Sequence, residues 1–448
     1  MAESKMTKYL IIGNSAGGIG AAEAIREVDT TGKLTIVSDE SYPVYSRPLI
    51  SKYLGKGYPL DKILYRPRNF YTKNNISTVL GDRVTGVDYA EHTAELESGR
   101  VLSWEKLLLA TGGKPIVPRM EGLGLSGVFT FSCLRDAERI DEYLRRFSRK
   151  LNVVIIGGGL IGVSAAEAFT HRGVGITVVE MKDRILNTLL DPEASAMEAS
   201  SLRGAGIEIV TGGTVIRVNS NASGDVAGVS LDNGRDISCD LVVLAIGVSP
   251  RIDLVTGSDV KTDRGILVDR KMESSVKNVY ACGDVAQAYD FIYGENRLTP
   301  VWPNAYQGGR TAGLNMAGKR SEYPGGTALN SMNYFGMDVV SAGITVPPDD
   351  SYDSVVSKHE GIYRKVVTKD GIIVGMLYIN DIAMSGIVYN LMKDRENVQS
   401  FKDVLVSDGF GIISLPDEIR KKKLAVPSHL AEDVITSVEE PEAVIAGE

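Results

Sequence analysis

Short apolar runs, each closed by a glycine-rich or small-residue turn, punctuate the chain as far as about residue 285. Tyr9-Leu10-Ile11-Ile12 leads into Gly13-Asn14-Ser15-Ala16-Gly17-Gly18, and Val153-Val154-Ile155-Ile156 leads into Gly157-Gly158-Gly159-Leu160-Ile161-Gly162. Runs of four apolar residues predict short buried strands. Behind the turns, Ala21, Ala22, Ala24 and Ile25, and then Ala165, Ala166, Ala168 and Phe169, recur at helical spacing. Leu34-Thr35-Ile36-Val37-Ser38 and Ile176-Thr177-Val178-Val179 predict the next strand of each unit, and segments 106–113, 241–247 and 278–284 predict strands ending in small-residue turns. Strand and helix alternate, which predicts an α/β class with parallel sheets. From about Gly325 the period shortens to alternation, at Met332, Tyr334 and Gly336 and then Val339-Val340. Runs 362–367 and 372–379 flank Thr368-Lys369-Asp370-Gly371, an Asp-Gly hairpin, and a helix is expected after Asp381 through Met384, Ile387, Leu391 and Met392.

The two glycine turns stand 144 residues apart, each between a strand and a helix. In such a turn the first glycine permits the bend, the middle one lets the backbone approach a pyrophosphate, and the last allows close helix–strand packing. The helix N-terminus then offers free N–H groups and partial positive charge to the phosphates. Ser15 replaces the middle glycine of the first turn, so a pyrophosphate there is expected to sit further out or to accept a hydroxyl contact. An acid ending the second strand holds ribose hydroxyls. Asp39 and Glu40 stand in that place in the first unit and Glu180 in the second. A carboxylate at Glu180 accepts from a 2′-hydroxyl and repels a 2′-phosphate, which favours NADH over NADPH, although Lys182 stands two positions on.

Composition narrows the classes. The 448 residues suggest two or three domains, and the net charge of −8 argues against nucleic acid as a partner. Glycine, 48 of 448, is in excess, as a fold with several phosphate-binding turns requires. No apolar run approaches the length of a membrane span. Met1 to Lys8 is polar and unlike a secretory signal, so a cytoplasmic address is expected. Cys133, Cys239 and Cys282 are far apart, too few for a disulfide framework or a tetrahedral zinc site, and His92, His171, His359 and His429 are scattered.

With the Ala110-Thr111-Gly112-Gly113 and Gly283-Asp284 turns added to the two glycine motifs, the chain resembles the two-dinucleotide-binding-domain flavoproteins of the pyridine nucleotide-disulfide oxidoreductase superfamily. The resemblance implies two Rossmann-like three-layer domains and a smaller α+β C-terminal domain. It implies FAD contacts from Gly13, Ser15, Ala16, Gly17, Gly18, Asp39, Glu40, Ala110, Thr111, Gly112, Gly283 and Asp284. It implies NAD(P)H contacts from Gly157, Gly159, Leu160, Ile161, Gly162 and Glu180, with Val84 and Gly247 also among the cofactor-binding positions. The disulfide reductases and NADH oxidases of that superfamily carry a redox cysteine soon after the first ribose acid. This chain has no cysteine before Cys133. Instead Tyr42-Pro43-Val44-Tyr45-Ser46-Arg47-Pro48-Leu49-Ile50-Ser51-Lys52 resembles the corresponding stretch of rubredoxin, ferredoxin and nitrite reductase flavoproteins and of apoptosis-inducing factor. Carried over, Arg47 contacts the FAD pyrophosphate side and Lys52 lies beside the flavin N5. Relatives often pair that lysine with a glutamate where this chain has Ser164, so Lys52 is either unpaired or held by Glu167 one helical turn on. The segment 299–308 resembles the helix start that faces the flavin, with Trp302 against the ring edge, so Lys52 and Trp302 are the expected catalytic residues.

The expected domains are an FAD-binding domain, 1–116 with 250–324; an NAD(P)H-binding domain, 117–249; a C-terminal α+β domain, 325–426; and an acidic, disordered tail, 427–448. Arg420-Lys421-Lys422-Lys423 is either a docking patch for an acidic carrier or a set of cations closing a helix. The resulting expectation is an FAD-dependent NADH oxidoreductase passing electrons to a rubredoxin- or ferredoxin-like carrier protein. The alternatives are an NADH oxidase, a flavoprotein subunit working with partner subunits in a larger complex, and a flavin-dependent redox sensor; self-association stays open.

Overall fold

The computed structural model describes residues 6–425. Its first sheet is built on Thr7–Ile12, an apolar strand with Leu34–Ser38 on one side and Val101–Leu109 on the other, all parallel. Ile76–Leu80 and Val279–Ala281 complete the parallel layer at the two edges. The strand that joins the sheet last in sequence thus arrives from the far side of the chain, after residues 128–244 have built a sheet of their own. That second sheet repeats the plan: Asn152–Ile156 lies between Gly175–Glu180 and Leu241–Leu244, with Glu208–Thr211 and Val128–Thr130 outside them, again all parallel. Each unit also carries a small antiparallel meander that the periodicity did not single out, Val84–Asp88 with Thr93–Leu96 in the first and Val215–Ser220, Val226–Leu231 and Asp236–Ser238 in the second. The chain crosses between units twice, and the crossings Gly113–Pro115 and Val248–Pro250 pair with each other antiparallel.

The helices Ala16–Val28 and Trp302–Met316 lie together on the first sheet and explain part of the glycine excess otherwise than by phosphate turns. A Cβ on Gly309 would stand 2.0 Å from the Gly17 carbonyl, and one on Gly313 would stand 2.4 Å from that of Ala21. From the other side, a Cβ on Gly20 would meet the Tyr306 carbonyl at 2.5 Å. These glycines are contact points between two backbones, so the phosphate-turn reading of the composition accounts for only some of them.

The C-terminal sheet is antiparallel, in the order Leu329–Tyr334, Met337–Gly343, Ile372–Ile379, Ile362–Lys369, Asp353–His359. Lys369 pairs with Ile372 across Asp370 and Gly371, whose φ angles of +52° and +76° make the two-residue turn that Asp-Gly favours. Ser385–Lys393 packs Val388, Leu391 and Met392 beneath this sheet. The basic cluster closes the helix Asp417–Leu424, where Arg420 pairs with Asp417, Lys422 with Glu396 and Lys423 with Asp394. The tail expected over 427–448, and His429, lie outside the described residues. This third sheet is bolted to the second unit by buried polar groups: Asp191, the N-cap of helix Pro192–Gly204, accepts from Tyr363 Oη at 2.6 Å and Lys365 Nζ at 2.9 Å. No helix among the described residues is long and apolar enough to cross a membrane.

Candidate functional site: a cleft between two glycine turns

The two glycine turns are built by the same local forces. Gly13 N donates to Val37 O and Gly157 N to Val179 O, both at 2.8 Å, which pins each turn to the neighbouring strand. Ala110 and Ala245, at the ends of Val101–Leu109 and Leu241–Leu244, press on the turns from the other side. A Cβ on Gly13 would come within 2.1 Å of Ala110 O, and one on Gly157 within 2.4 Å of Ala245 O. Both glycines also have φ beyond +100°, where side-chain residues are strained. The last glycines, Gly18 and Gly162, would carry a Cβ 2.0 and 1.9 Å from the Gly13 and Gly157 carbonyls. The middle position differs, because a Cβ on Gly159 meets nothing within 4 Å. Its counterpart Ser15 therefore fits without distortion, and its hydroxyl makes no capping bond to its own helix.

Both turns open into one cavity of about 1340 Å³. Its wall includes Gly13, Ser15, Ala16, Gly17, Asp39, Glu40, Arg47, Val84, Ala110, Thr111, Gly112, Gly283, Asp284 and Trp302 from the first unit, and Gly157, Gly159, Leu160, Ile161, Glu180 and Gly247 from the second. Gly18, Gly162 and Lys52, also expected at the site, do not line it. The two glycines sit behind the wall as packing contacts. Lys52 is drawn off by Glu167, whose two carboxylate oxygens accept its ammonium at 3.0 and 2.9 Å, so of the two readings of Lys52 the paired one is realised.

Three helices start at this cavity, at N-caps Ser15, Gly159 and Val301, and none has a side-chain cap. Their first N–H groups are left for a ligand, and their dipoles turn the wall electropositive where a pyrophosphate or an anionic ring edge would lie. Trp302, the first residue of its helix, is held edge-on to Tyr65 at 5.1 Å between ring centroids. Tyr65 is in turn covered by the Arg66 guanidinium.

The acids are engaged differently in the two units. Glu180 turns back on its own glycine turn: its oxygens accept from Gly158 N at 2.7 Å and Lys182 N at 2.8 Å, which fixes the carboxylate and leaves each oxygen a lone pair for a hydroxyl donor. Glu40 accepts from Arg47 at 2.9 Å and Tyr45 at 2.8 Å, and Asp39 from Arg251 at 2.8 Å. Arg47 also donates to Ser132 O at 3.0 Å, tying the 42–52 stretch to the second unit. Burial pushes the Asp284 carboxyl up, against the pull of Arg47.

Sequence reasoning missed two parts of the wall. Leu329, Asn330, Ser331, Met332 and Tyr334, from the edge strand of the C-terminal sheet, close one side of the cavity. No local signal in that strand announces this, since it arises from the docking of a third domain. Cys282 also lines the cavity, directly before Gly283. It is buried behind Gly17, and burial lifts its thiol to about 12, so it is held as a neutral thiol and is no nucleophile at neutral pH. The half-buried Cys133 is likewise pushed up to about 11 by burial.

A cavity larger than the usual single-ligand pocket, with two phosphate turns on its wall, has room for two dinucleotides. Residues 7–309 match the family described as Pyridine nucleotide-disulphide oxidoreductase, and residues 329–396 match the Rubredoxin NAD+ reductase C-terminal domain. The chain is 32% identical, over 91% of its length and 96% of the relative's, to the NADH-dependent phenylglyoxylate dehydrogenase subunit epsilon of Aromatoleum evansii. It is 29% identical, over 86% of its length and 91% of the relative's, to the NADH-rubredoxin oxidoreductase of Clostridium acetobutylicum. The ferredoxin reductase for the CYP199A2 system of Rhodopseudomonas palustris shares the fold, with a TM-score of 0.82 and 24% identity over 93% of this chain and 100% of that one. Paired turns, uncapped helices starting at one cavity and a matching sequence over two thirds of the chain lead to one conclusion: the chain belongs to the pyridine nucleotide-disulphide oxidoreductase family and uses a flavin and NAD(P)H.

Proposed function

We propose that the chain is an FAD-dependent NADH oxidoreductase that hands electrons to a small external carrier protein of rubredoxin or ferredoxin type. The observation that carries this reading is one cleft with both glycine turns on its wall, where the thiol of Cys282 is kept neutral by burial. The first unit would hold FAD: Gly13 and Ser15 at the pyrophosphate, Asp39 and Glu40 toward the ribose, Val84 toward the adenine side, Asp284 and Arg47 on the remaining polar groups. The second would hold NADH through Gly157, Gly159, Leu160 and Ile161 at its pyrophosphate, with Glu180 accepting from ribose hydroxyls and Gly247 at the turn opposite. A bound flavin supplies the redox chemistry, taking a hydride from NADH and releasing electrons to an acceptor. The protein's own contribution would be to hold the two rings in one slot between Trp302 and the 329–334 strand, with two helix N-termini on the pyrophosphates and the third, at Trp302, toward the ring that gains negative charge. The domain limits follow the same division: 1–116 with 250–324 for FAD, 117–249 for NADH and 325–426 for the wall-closing domain.

A rubredoxin-type acceptor is supported by the match of residues 329–396 and by the clostridial relative's name. A second reading, the flavin-bearing subunit of a larger oxidoreductase, is supported by the relative named as a dehydrogenase subunit. The deciding experiment identifies the flavin released on denaturation, then follows anaerobic NADH and NADPH oxidation with rubredoxin, ferredoxin and air as acceptors. FAD, a preference for NADH and fast reoxidation by a carrier are expected. A colourless protein that no flavin reconstitutes would end the reading, and a yellow one that reduces no carrier shifts it to the subunit.

A further inference from the structure

The hydroxyl of Tyr45 has one partner in each of the two nucleotide-type units. Its ring is 4% exposed and belongs to the apolar core of the second unit, with Phe131, Leu134 and Ile140, although the residue follows the first unit's second strand in the chain. The phenol donates to Glu40 Oε2 at 2.8 Å and accepts from Leu134 N at 2.9 Å. Leu134 opens the helix Leu134–Leu144, whose N-cap, Cys133, makes no side-chain bond to it. The phenol of Tyr45 thus takes up one of the N–H groups left free at that helix start. Burial keeps it protonated, so its one hydrogen is always there for Glu40.

The other oxygen of Glu40 is held from the same place. Oε1 accepts from Arg47 at 2.9 Å, and Arg47 donates in turn to Ser132 O at 3.0 Å. Ser132 is itself fixed, its N–H and hydroxyl both bonding Asp136, at 2.8 and 3.1 Å. Both oxygens of a first-unit acid are therefore aimed by groups anchored on residues 132–134 of the second unit, and each oxygen keeps a lone pair for a further donor. Its neighbour Asp39 is held by Arg251 instead. Glu40, Tyr45, Arg47 and Ser132 all line the cleft.

We propose, resting on the flavin reading above, that Tyr45 is a positioning residue for the adenosine half of FAD: its hydroxyl, held by the second unit, orients Glu40 toward the ribose, so the docking of the two units sets the preference for a flavin with an adenosine over one without. A free glutamate gives up rotamers when it binds a hydroxyl, whereas one held at both oxygens has given them up already. The gain is confined to a ligand with that ribose. FMN ends at its phosphate and makes no call on Glu40.

The test uses the full-length chain freed of flavin and titrated with FAD and with FMN, read by flavin fluorescence. In Tyr45→Phe the Kd for FAD should rise about tenfold while that for FMN stays, so the preference for FAD falls by the same factor. Glu40→Gln should lower the preference too, and Tyr45→Phe added to Glu40→Gln should change little more, since the two act through one contact. An unchanged Kd for FAD, a loss shared equally by FMN, or losses that add in the double variant overturns the proposal. If Tyr45→Phe fails to fold, hydrogen–deuterium exchange of the parent decides: FAD should protect the backbone of 131–137 more than FMN does, and equal protection overturns it. In each of these failures the parent still binds FAD. A parent that binds neither flavin defeats the reading of the cleft itself.

Discussion

At the scale of single residues, the glycine turns show which positions a pattern can assign and which need coordinates. The spacing identified Gly13 and Gly157, and their function as bend points follows from positive φ and a carbonyl pressed against the missing Cβ. It could not separate Gly159, whose Cβ would meet open space, from Gly162, whose Cβ would overlap Gly157 O. Gly159→Ala should therefore leave the melting temperature nearly unchanged, with any loss appearing in the KM for NADH. Gly162→Ala should cost about 1–3 kcal/mol in denaturant unfolding, by overpacking. Glu180→Ala should raise the KM for NADH relative to that for NADPH, and an unaltered ratio would remove Glu180 from the ribose. Glu198, 1% exposed on helix Pro192–Gly204, was invisible in the sequence, because a lone glutamate on a helix reads as solvated until its burial is seen. Burial, with the charge of Glu167 added, lifts its titration to about 8 and makes it a pH-dependent liability. Below the ordinary carboxyl range both folded and unfolded states are protonated and no penalty exists. As pH rises from there to about 8 the unfolded chain ionises while the folded one does not, so stability falls. At about 1.4 kcal/mol per unit, the penalty reaches a few kcal/mol. Glu198→Gln should match the parent in denaturant melts near pH 4 and exceed its stability by a growing margin up to pH 8–9; parallel pH profiles would contradict the burial argument.

Among elements, strands were legible where four apolar residues run together, and the helix from Trp302 was legible from the resemblance of segment 299–308 to the helix start that faces the flavin. The meanders 84–96 and 215–238 were not, because their strands are short and half-exposed, so the alternation is broken by bulges such as that between Val84 and Gly86. Nor was the partnership of helices Ala16–Val28 and Trp302–Met316, which depends on residues as far apart in sequence as Gly17 and Gly309. Their glycine contact is an element-level requirement, since it brings two N-termini to the same wall. Gly309→Ala would force the helices apart against the Gly17 carbonyl. It should lower the flavin-to-protein ratio after gel filtration more than it lowers secondary structure measured by circular dichroism. Full retention of flavin would show that the contact serves packing alone.

For the whole molecule, two like units were readable from the repeat of turn and strand, and the third domain from its change of period. What that domain does to the cleft was not readable, because it arises from docking. The Asp191 carboxylate that anchors it is buried, which alone would raise its titration, but bonds from Tyr363, Ala194 and Lys365 overcome burial and hold it below the usual range. Stability from this anchor is therefore present above the unfolded value near 4 and lost as pH falls through the lower folded one. Lys365→Met strands a buried carboxylate and should cost about 3–5 kcal/mol. Limited proteolysis should then cut the 317–328 connection sooner than in the parent.

The two chain crossings between units lie side by side, Gly113 opposite Pro250. The second unit is thus a cassette whose ends meet, and every strand of its sheet comes from within 128–244. The first unit waits for Val279–Ala281 to finish its sheet and for Trp302–Met316 to cover Ala16–Val28. Closing such distant pairs is slow, whereas local pairs close early. During synthesis, then, the module that comes second along the chain is the first able to fold, and the first unit is completed around it at the end.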